Sequence, residues 1–205
     1  LPTIPPAPSV PGRFQAIAIG SSTGGPPALA GLLPILTRQT SLPIFIVQHL
    51  PTGMSRFFAD SLAKKCESRV VEAAHGEDVH HSTVYVAPAG QHMVVRQGTR
   101  RVIALNDLPL ENGCRPSVDV LFRSLAMAYP PSILAIILTG MGTDGAKGLG
   151  PLKRKGAYVI VQDEATSVVW GMPGSAAATN YVDAILPLEQ IGPAVASLLG
   201  PGASP

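Results

Sequence analysis

Six short apolar runs alternate along this chain with segments of helical period: Gln15 to Ile19, Ile44 to Gln48, Thr83 to Ala87, Ile133 to Thr139, Tyr158 to Gln162 and Val182 to Leu186. The runs are rich in β-branched residues and apolar at successive positions, so both faces of each strand must be covered. That is the pattern of a parallel sheet between helical layers rather than of a half-solvated antiparallel one. The cover comes from Pro26 to Leu36, Arg56 to Lys65, Ser117 to Ala128, Ala146 to Lys155 and Leu188 to Leu199. The alternation predicts an α/β domain, doubly wound, with a mostly parallel sheet and flanking helices. One interruption, Met93 to Gln97 and Arg101 to Leu105 around Gly98-Thr99, predicts a β-hairpin at an edge or as an insertion.

With 205 residues, 46% of them hydrophobic, the chain has enough apolar surface for one domain with a sizeable core. Residues 1–12 hold five prolines and no charge, a composition that favours extended polyproline conformation and builds no core. They are expected to be a linker, residues 13–200 the folded domain and 201–205 a tail. The net charge of +2, with basic residues clustered only at Arg100-Arg101 and Lys153-Arg154-Lys155, gives no footprint for nucleic acid. The longest wholly aliphatic run, Ile133 to Leu138, is far shorter than a membrane span, so no membrane insertion is expected. Cys66 and Cys114 lack the C-x-x-C spacing of a metal or redox site and make no disulfide framework. With no secretory signal visible ahead of Phe14, the expected compartment is the cytoplasm.

In open α/β sheets, ligands and reacting groups collect beyond the carboxyl ends of the strands. The first strand candidate runs into Gly20-Ser21-Ser22-Thr23-Gly24-Gly25, the second into Gln48-His49, and the Ile133 run into Thr139-Gly140-Met141-Gly142-Thr143-Asp144. A dinucleotide site would need G-x-G-x-x-G and an acidic residue ending the second strand, and a P-loop would need G-K-[ST]; neither is present. The α/β-hydrolase chain order of Ser, Asp or Glu, then His is not met either, since the histidines stand at 49, 75, 80, 81 and 92. A triad in the order Ser, His, Asp is still open, because such sites are defined by geometry.

His49, at a strand end, is the best base candidate. His75, His80 and His81 read as a solvated connection without metal-ligand spacing, and His92 likewise as a loop residue. Asp144 reads as either a helix N-cap or the carboxylate that orients an imidazole, and the two roles are compatible. Asp163 is the second choice. Between Ser21 and Ser22 the spacing does not choose. Anion-binding N–H groups are available at the helix start after Ser22 or around Met141, and Trp170 and Met172 read as packing residues. A phosphate-binding module and an inactive docking adaptor are the other readings of the same loops.

Taken together and in order, several motifs carry a resemblance. They are Ile19-Gly20-Ser21-Ser22-Thr23-Gly24-Gly25, Gln48-His49-Leu50-Pro51, Tyr85-Val86-Ala87-Pro88-Ala89-Gly90 with His92-Met93, Arg115 to Phe122, Leu138 to Gly145, and Gly171-Met172-Pro173. From Ile17 to Pro187 the chain resembles the catalytic domain of the CheB-type chemotaxis receptor methylesterases, the protein-glutamate methylesterase/glutaminases. The resemblance implies the fold of that family's C-terminal domain and a triad of Ser22, His49 and Asp144, with the backbone N–H of Met141 in the oxyanion hole. It also chooses Ser22 over Ser21.

No metal and no organic cofactor are implied. The implied substrate is a methylated helical chemoreceptor, acted on within two-component signalling. The implied regulatory partner is an N-terminal receiver domain, absent here and expected in a longer parent chain. Ser21 stands where the family commonly has alanine, and Leu50 where methionine is common; neither is a triad position.

Overall fold

A computed structural model describes residues 14–200. The expected linker at 1–12 and tail at 201–205 lie outside the described residues. Seven strands, β1 (Ala16–Ser21), β2 (Ile44–Gln48), β3 (Arg69–Glu72), β4 (Thr83–Val86), β7 (Ile133–Ile137), β8 (Tyr158–Gln162) and β9 (Ala184–Leu186), form one sheet in the order β3-β4-β2-β1-β7-β8-β9. Every pairing in it is parallel. The remaining two strands, β5 (His92–Gln97) and β6 (Arg101–Asn106), make the predicted hairpin as a separate antiparallel pair.

Period-two alternation sorts the strand side chains between two cores. In β1, Ile17 and Ile19 join α1 (Gly25–Gln39), α2 (Ser55–Ala63) and α6 (Leu188–Leu199) on one face. Ala16 and Ala18 point to the other face, with α3 (Val118–Ala128), α4 (Ala146–Arg154), α5 (Gly171–Ala177) and the hairpin residues Met93, Val95 and Ile103. Small side chains on that face of β1 let α3 approach closely; Val118 sits against Gly20, where an added Cβ would lie 2.5 Å from its Cγ1.

Two elements were not legible in the pattern. β3 has an exposed Arg69 and half-buried Val71 and Glu72, so it lacks the continuous apolar run of the inner strands. α5 is the seven residues Gly-Met-Pro-Gly-Ser-Ala-Ala, too short and too rich in glycine and proline to show a helical stripe. His92 also departs from expectation. It opens β5 with only 1% of its surface exposed instead of lying in a solvated loop.

The strand order reverses at β1. From β1 the chain moves to β2 on one side, and after β4 it returns to β7 on the other, so the connections leaving β1 and β7 diverge to opposite faces. A crevice at the carboxyl ends of these strands is the expected ligand position of a doubly wound sheet. A cavity of about 630 Å³ lined by Phe14, Pro43, Arg101 and Tyr129 opens near the opposite, amino ends and has no part in that crevice.

Candidate active site

The parallel register aligns Ser21 of β1 with Gln48 of β2, so the next residues, Ser22 and His49, leave the sheet side by side. Gln48 holds both departures. Its Nε2 donates to the carbonyls of Ser22 (2.9 Å) and His49 (3.0 Å), and its Oε1 accepts from Ser21 Oγ (2.7 Å). Ser21 is fully buried with its hydroxyl occupied in this way, whereas Ser22 is partly exposed at the crevice.

On the other flank the Ser22 N–H donates to the carbonyl of Thr139, at 3.0 Å. Gly140 follows, and a Cβ there would lie 2.8 Å from Ser22 Cβ and 2.5 Å from Met172 Sδ. The close packing of the two loops therefore requires glycine. Met172 is buried beneath Gly140, its N–H donating to the Gly140 carbonyl, and the Trp170 indole donates to the carbonyl of Gln162. Both act as packing and anchoring residues.

Met141 has 72% of its surface exposed. Its N–H and that of Thr23 have no hydrogen-bond partner among the described residues. These are the donors free to meet an anion beside Ser22.

His49 Nε2 lies 2.9 Å from Asp144 Oδ2. The carboxylate, 2% exposed, also accepts from the backbone N–H groups of Val118, Asp119 and Gly145, from Ser117 Oγ and from Asn112 Nδ2. Asp144 is thus a cap, though chiefly of a helix distant in sequence. It serves the N-terminus of α3, while α4, the helix directly after it, takes Gly145 at its N-cap. Burial works to raise its pKa, but the hydrogen bonds from His49, Val118, Ser117 and Asp119 outweigh this and hold it below the ordinary carboxylate value. Burial likewise works to lower the His49 pKa, and the hydrogen bonds to Asp144 and Cys114 overcome it, pushing it up to about 9.

Four residues in supporting positions were given no such role by the sequence reading. Asn112, in the left-handed region at φ 52°, donates to both Asp144 Oδ1 (3.0 Å) and Asp119 Oδ2 (2.7 Å). This donation lies between two carboxylates that would otherwise repel. Asp119 is itself raised, first by burial and further by the Asp144 charge, while the Gly148 N–H opposes the rise. His92 Nδ1 accepts the Ser117 N–H, so its Nε2 carries the proton donated to the Pro109 carbonyl at 3.0 Å. Ser117, aligned this way, turns its hydroxyl to Asp144 at 2.7 Å. Ser117 opens a predicted helix, and it and His92 fall within the quoted motifs, but spacing alone gave neither of them this role.

The fourth is Cys114, whose Sγ lies 3.7 Å from His49 Nδ1. With Nε2 engaged by Asp144, Nδ1 is the ring nitrogen left to serve Ser22. No hydrogen bond joins Ser22 Oγ to His49 among the described residues, a looseness common where no substrate is bound. His75, His80 and His81 stay apart from this cluster in a partly solvated connection, and Asp163 closes a turn through Thr166.

A wholly parallel sheet covered by helices on both faces, with a partly buried imidazole paired to a buried carboxylate beside a serine on a glycine-rich turn at its switch point, is an arrangement suited to a hydrolytic α/β enzyme. The particular family is narrower: residues 17–195 match the family model described as CheB methylesterase, and the chain belongs to that family. It is 45% identical over 199 residues to a protein-glutamate methylesterase/protein-glutamine glutaminase 2 of Caulobacter vibrioides, covering 96% of this chain and 57% of that protein. A protein-glutamate methylesterase/protein-glutamine glutaminase of Desulfotalea psychrophila is 44% identical over 183 residues, covering 88% of this chain and 50% of the relative. The chain therefore spans about half the length of the curated relatives it matches. The crystal structure of the Thermotoga maritima CheB methylesterase catalytic domain superposes with a TM-score of 0.87 at 38% identity, covering 90% of this chain and 98% of that one.

Proposed function

We propose that this chain is the catalytic unit of a protein-glutamate methylesterase, hydrolysing γ-glutamyl methyl esters on a helical chemoreceptor. The observation that carries the reading is the His49–Asp144 pair beside Ser22 at the switch point, in a chain of this family. Ser22 Oγ attacks the ester carbonyl as His49 Nδ1 takes its proton, and the oxyanion is met by the Met141 N–H. Asp144 keeps Nε2 protonated and stabilises the imidazolium. The imidazolium returns the proton to the leaving methoxide, methanol departs, and a glutamyl-Ser22 ester remains. Water attacks this ester, giving its proton to His49, and glutamate leaves as Ser22 recovers its hydrogen. Deamidation of a receptor glutamine follows the same steps with ammonia as the leaving group.

Exposed apolar side chains on the connections, Met54, Met141 and Val168, together with Phe57 in the first turn of α2, suit a substrate that arrives on the face of an amphipathic helix. The half-length match to the relatives supports a longer parent protein carrying a receiver domain ahead of this unit. No helix of the described residues is long and apolar enough to cross a membrane.

Ser22→Ala tests the nucleophile. Methanol release from methylated receptor is expected to vanish while the circular dichroism melt is retained. Release near the wild-type rate from a folded variant overturns the assignment.

A further inference from the structure

Among the described residues, the one group of three potential ligand side chains that converges is His49, Cys114 and Asp144, whose ligand atoms lie within 4.8 Å of one another. The three do not play equal parts. Asp144 is committed to six donors, so it has little capacity left as a direct ligand. It holds the Nε2 proton of His49 instead, so in the neutral imidazole the Nδ1 lone pair is directed away from the carboxylate. A carboxylate behind the far nitrogen is the usual support of a metal-bound histidine, because it fixes the ring and raises its basicity.

In front of Nδ1 stands a soft ligand. Cys114 Sγ is 3.7 Å away, and two ligands held at about 2.3 Å (sulfur) and about 2.0–2.1 Å (nitrogen) on one tetrahedral Zn²⁺ are roughly 3.6 Å apart. The cysteine is held on a tight turn, with Glu111 and Cys114 exchanging backbone hydrogen bonds of 3.1 and 2.9 Å. Both residues are only partly buried, so an ion has a route in and water can complete its coordination.

We infer that His49 Nδ1 and Cys114 Sγ form a binding site for a thiophilic divalent cation, Zn²⁺ in particular, seated on the imidazole that the esterase uses as its base. Binding forms one metal–nitrogen and one metal–sulfur bond; the thiol proton, and the Nδ1 proton wherever His49 is an imidazolium, leave to solvent. The lone pair that would accept the Ser22 proton is then occupied, so the cation is a reversible inhibitor. That inhibition rests on the reading of His49 as base; the binding does not.

Titration of the chain with Co²⁺, as a spectroscopic stand-in for Zn²⁺, under a non-chelating reductant tests the site. One equivalent is expected to raise a near-ultraviolet thiolate-to-cobalt charge-transfer band that Zn²⁺ then bleaches. Cys114→Ser and Cys114→Ala should each lose the band and weaken binding by at least about tenfold, since the soft ligand supplies the selectivity. In parallel, Zn²⁺ should suppress methanol release by wild type reversibly with a chelator. Each Cys114 variant is compared with its own metal-free rate and should retain most of that rate. Absence of the band in the wild type, or a band that survives both variants, overturns the site. A band lost in the variants while the wild type stays fully active under Zn²⁺ upholds the site and overturns the role of His49 as base.

Discussion

Asp144 shows how one side chain can serve structure and, on the proposed reading, chemistry through the same bonds. Its carboxylate is nearly buried, and three backbone N–H groups, a serine hydroxyl and an asparagine amide keep it ionised and fixed beside His49. Asp144→Asn retains the shape but can present its amide N–H, not an oxygen, toward Nε2, which favours the wrong imidazole tautomer. Turnover is expected to fall on the order of 10⁴-fold, by analogy with the aspartate of other triads. The limb of the kcat/KM profile governed by His49, near about 9 in the wild type, should move down toward the ordinary imidazole value. An unchanged rate and limb would leave Asp144 only its capping role. At this scale the sequence was partly readable. Asp144 is recognisable as a capping residue from its position before a helix, but the helix end it mainly serves begins 26 residues earlier in the chain. Likewise Ser21 and Ser22 are chemically equivalent on paper; burial and the Gln48 bond distinguish them.

The connections beyond β1, β2 and β7 work as a set because their backbones touch. Gly140 is the point of closest approach, filled on one side by Ser22 and on the other by Met172. Gly140→Ala is expected to push the two loops apart, costing about 1–3 kcal/mol of stability as overpacking does. A displaced Ser22 should lose more activity than that loss of stability explains. Urea unfolding together with methanol release at a temperature where the variant stays folded checks both. Wild-type activity in a destabilised variant would show that the loops move independently of the site. Inner strands were legible because a parallel sheet buried on both faces forces continuous apolar runs, as in Ile44–Gln48 and Ile133–Ile137. β3, at the sheet edge, and the short α5 escaped because neither is required to show such a run.

For the molecule as a whole, the ionisation of the proposed site is coupled to folding. The His49 pKa is raised to about 9 in the fold from an ordinary value of 6.5, so the native state holds the proton more tightly than the unfolded chain. Its contribution is fully present below about 6.5 and is lost as pH rises through about 9. Asp144 works in the opposite sense: its lowered pKa adds stability above the ordinary value of 3.8, lost as pH falls through the folded value. Denaturant midpoints are therefore expected to decline on the alkaline side of this window, and this decline should shrink in a folded His49→Gln variant. An identical alkaline slope in that variant would assign the loss to other groups. By itself the sequence determined the layered α/β architecture, its hairpin insertion and the strand ends worth inspecting, because these follow from local periodicity and from where glycine permits a turn. Only the tertiary structure decided that the sheet is wholly parallel. It alone brought His92, Asn112 and Ser117 behind Asp144 and Cys114 in front of His49. Those contacts join residues up to 65 positions apart, and no local rule of spacing encodes which loops a folded sheet will bring together.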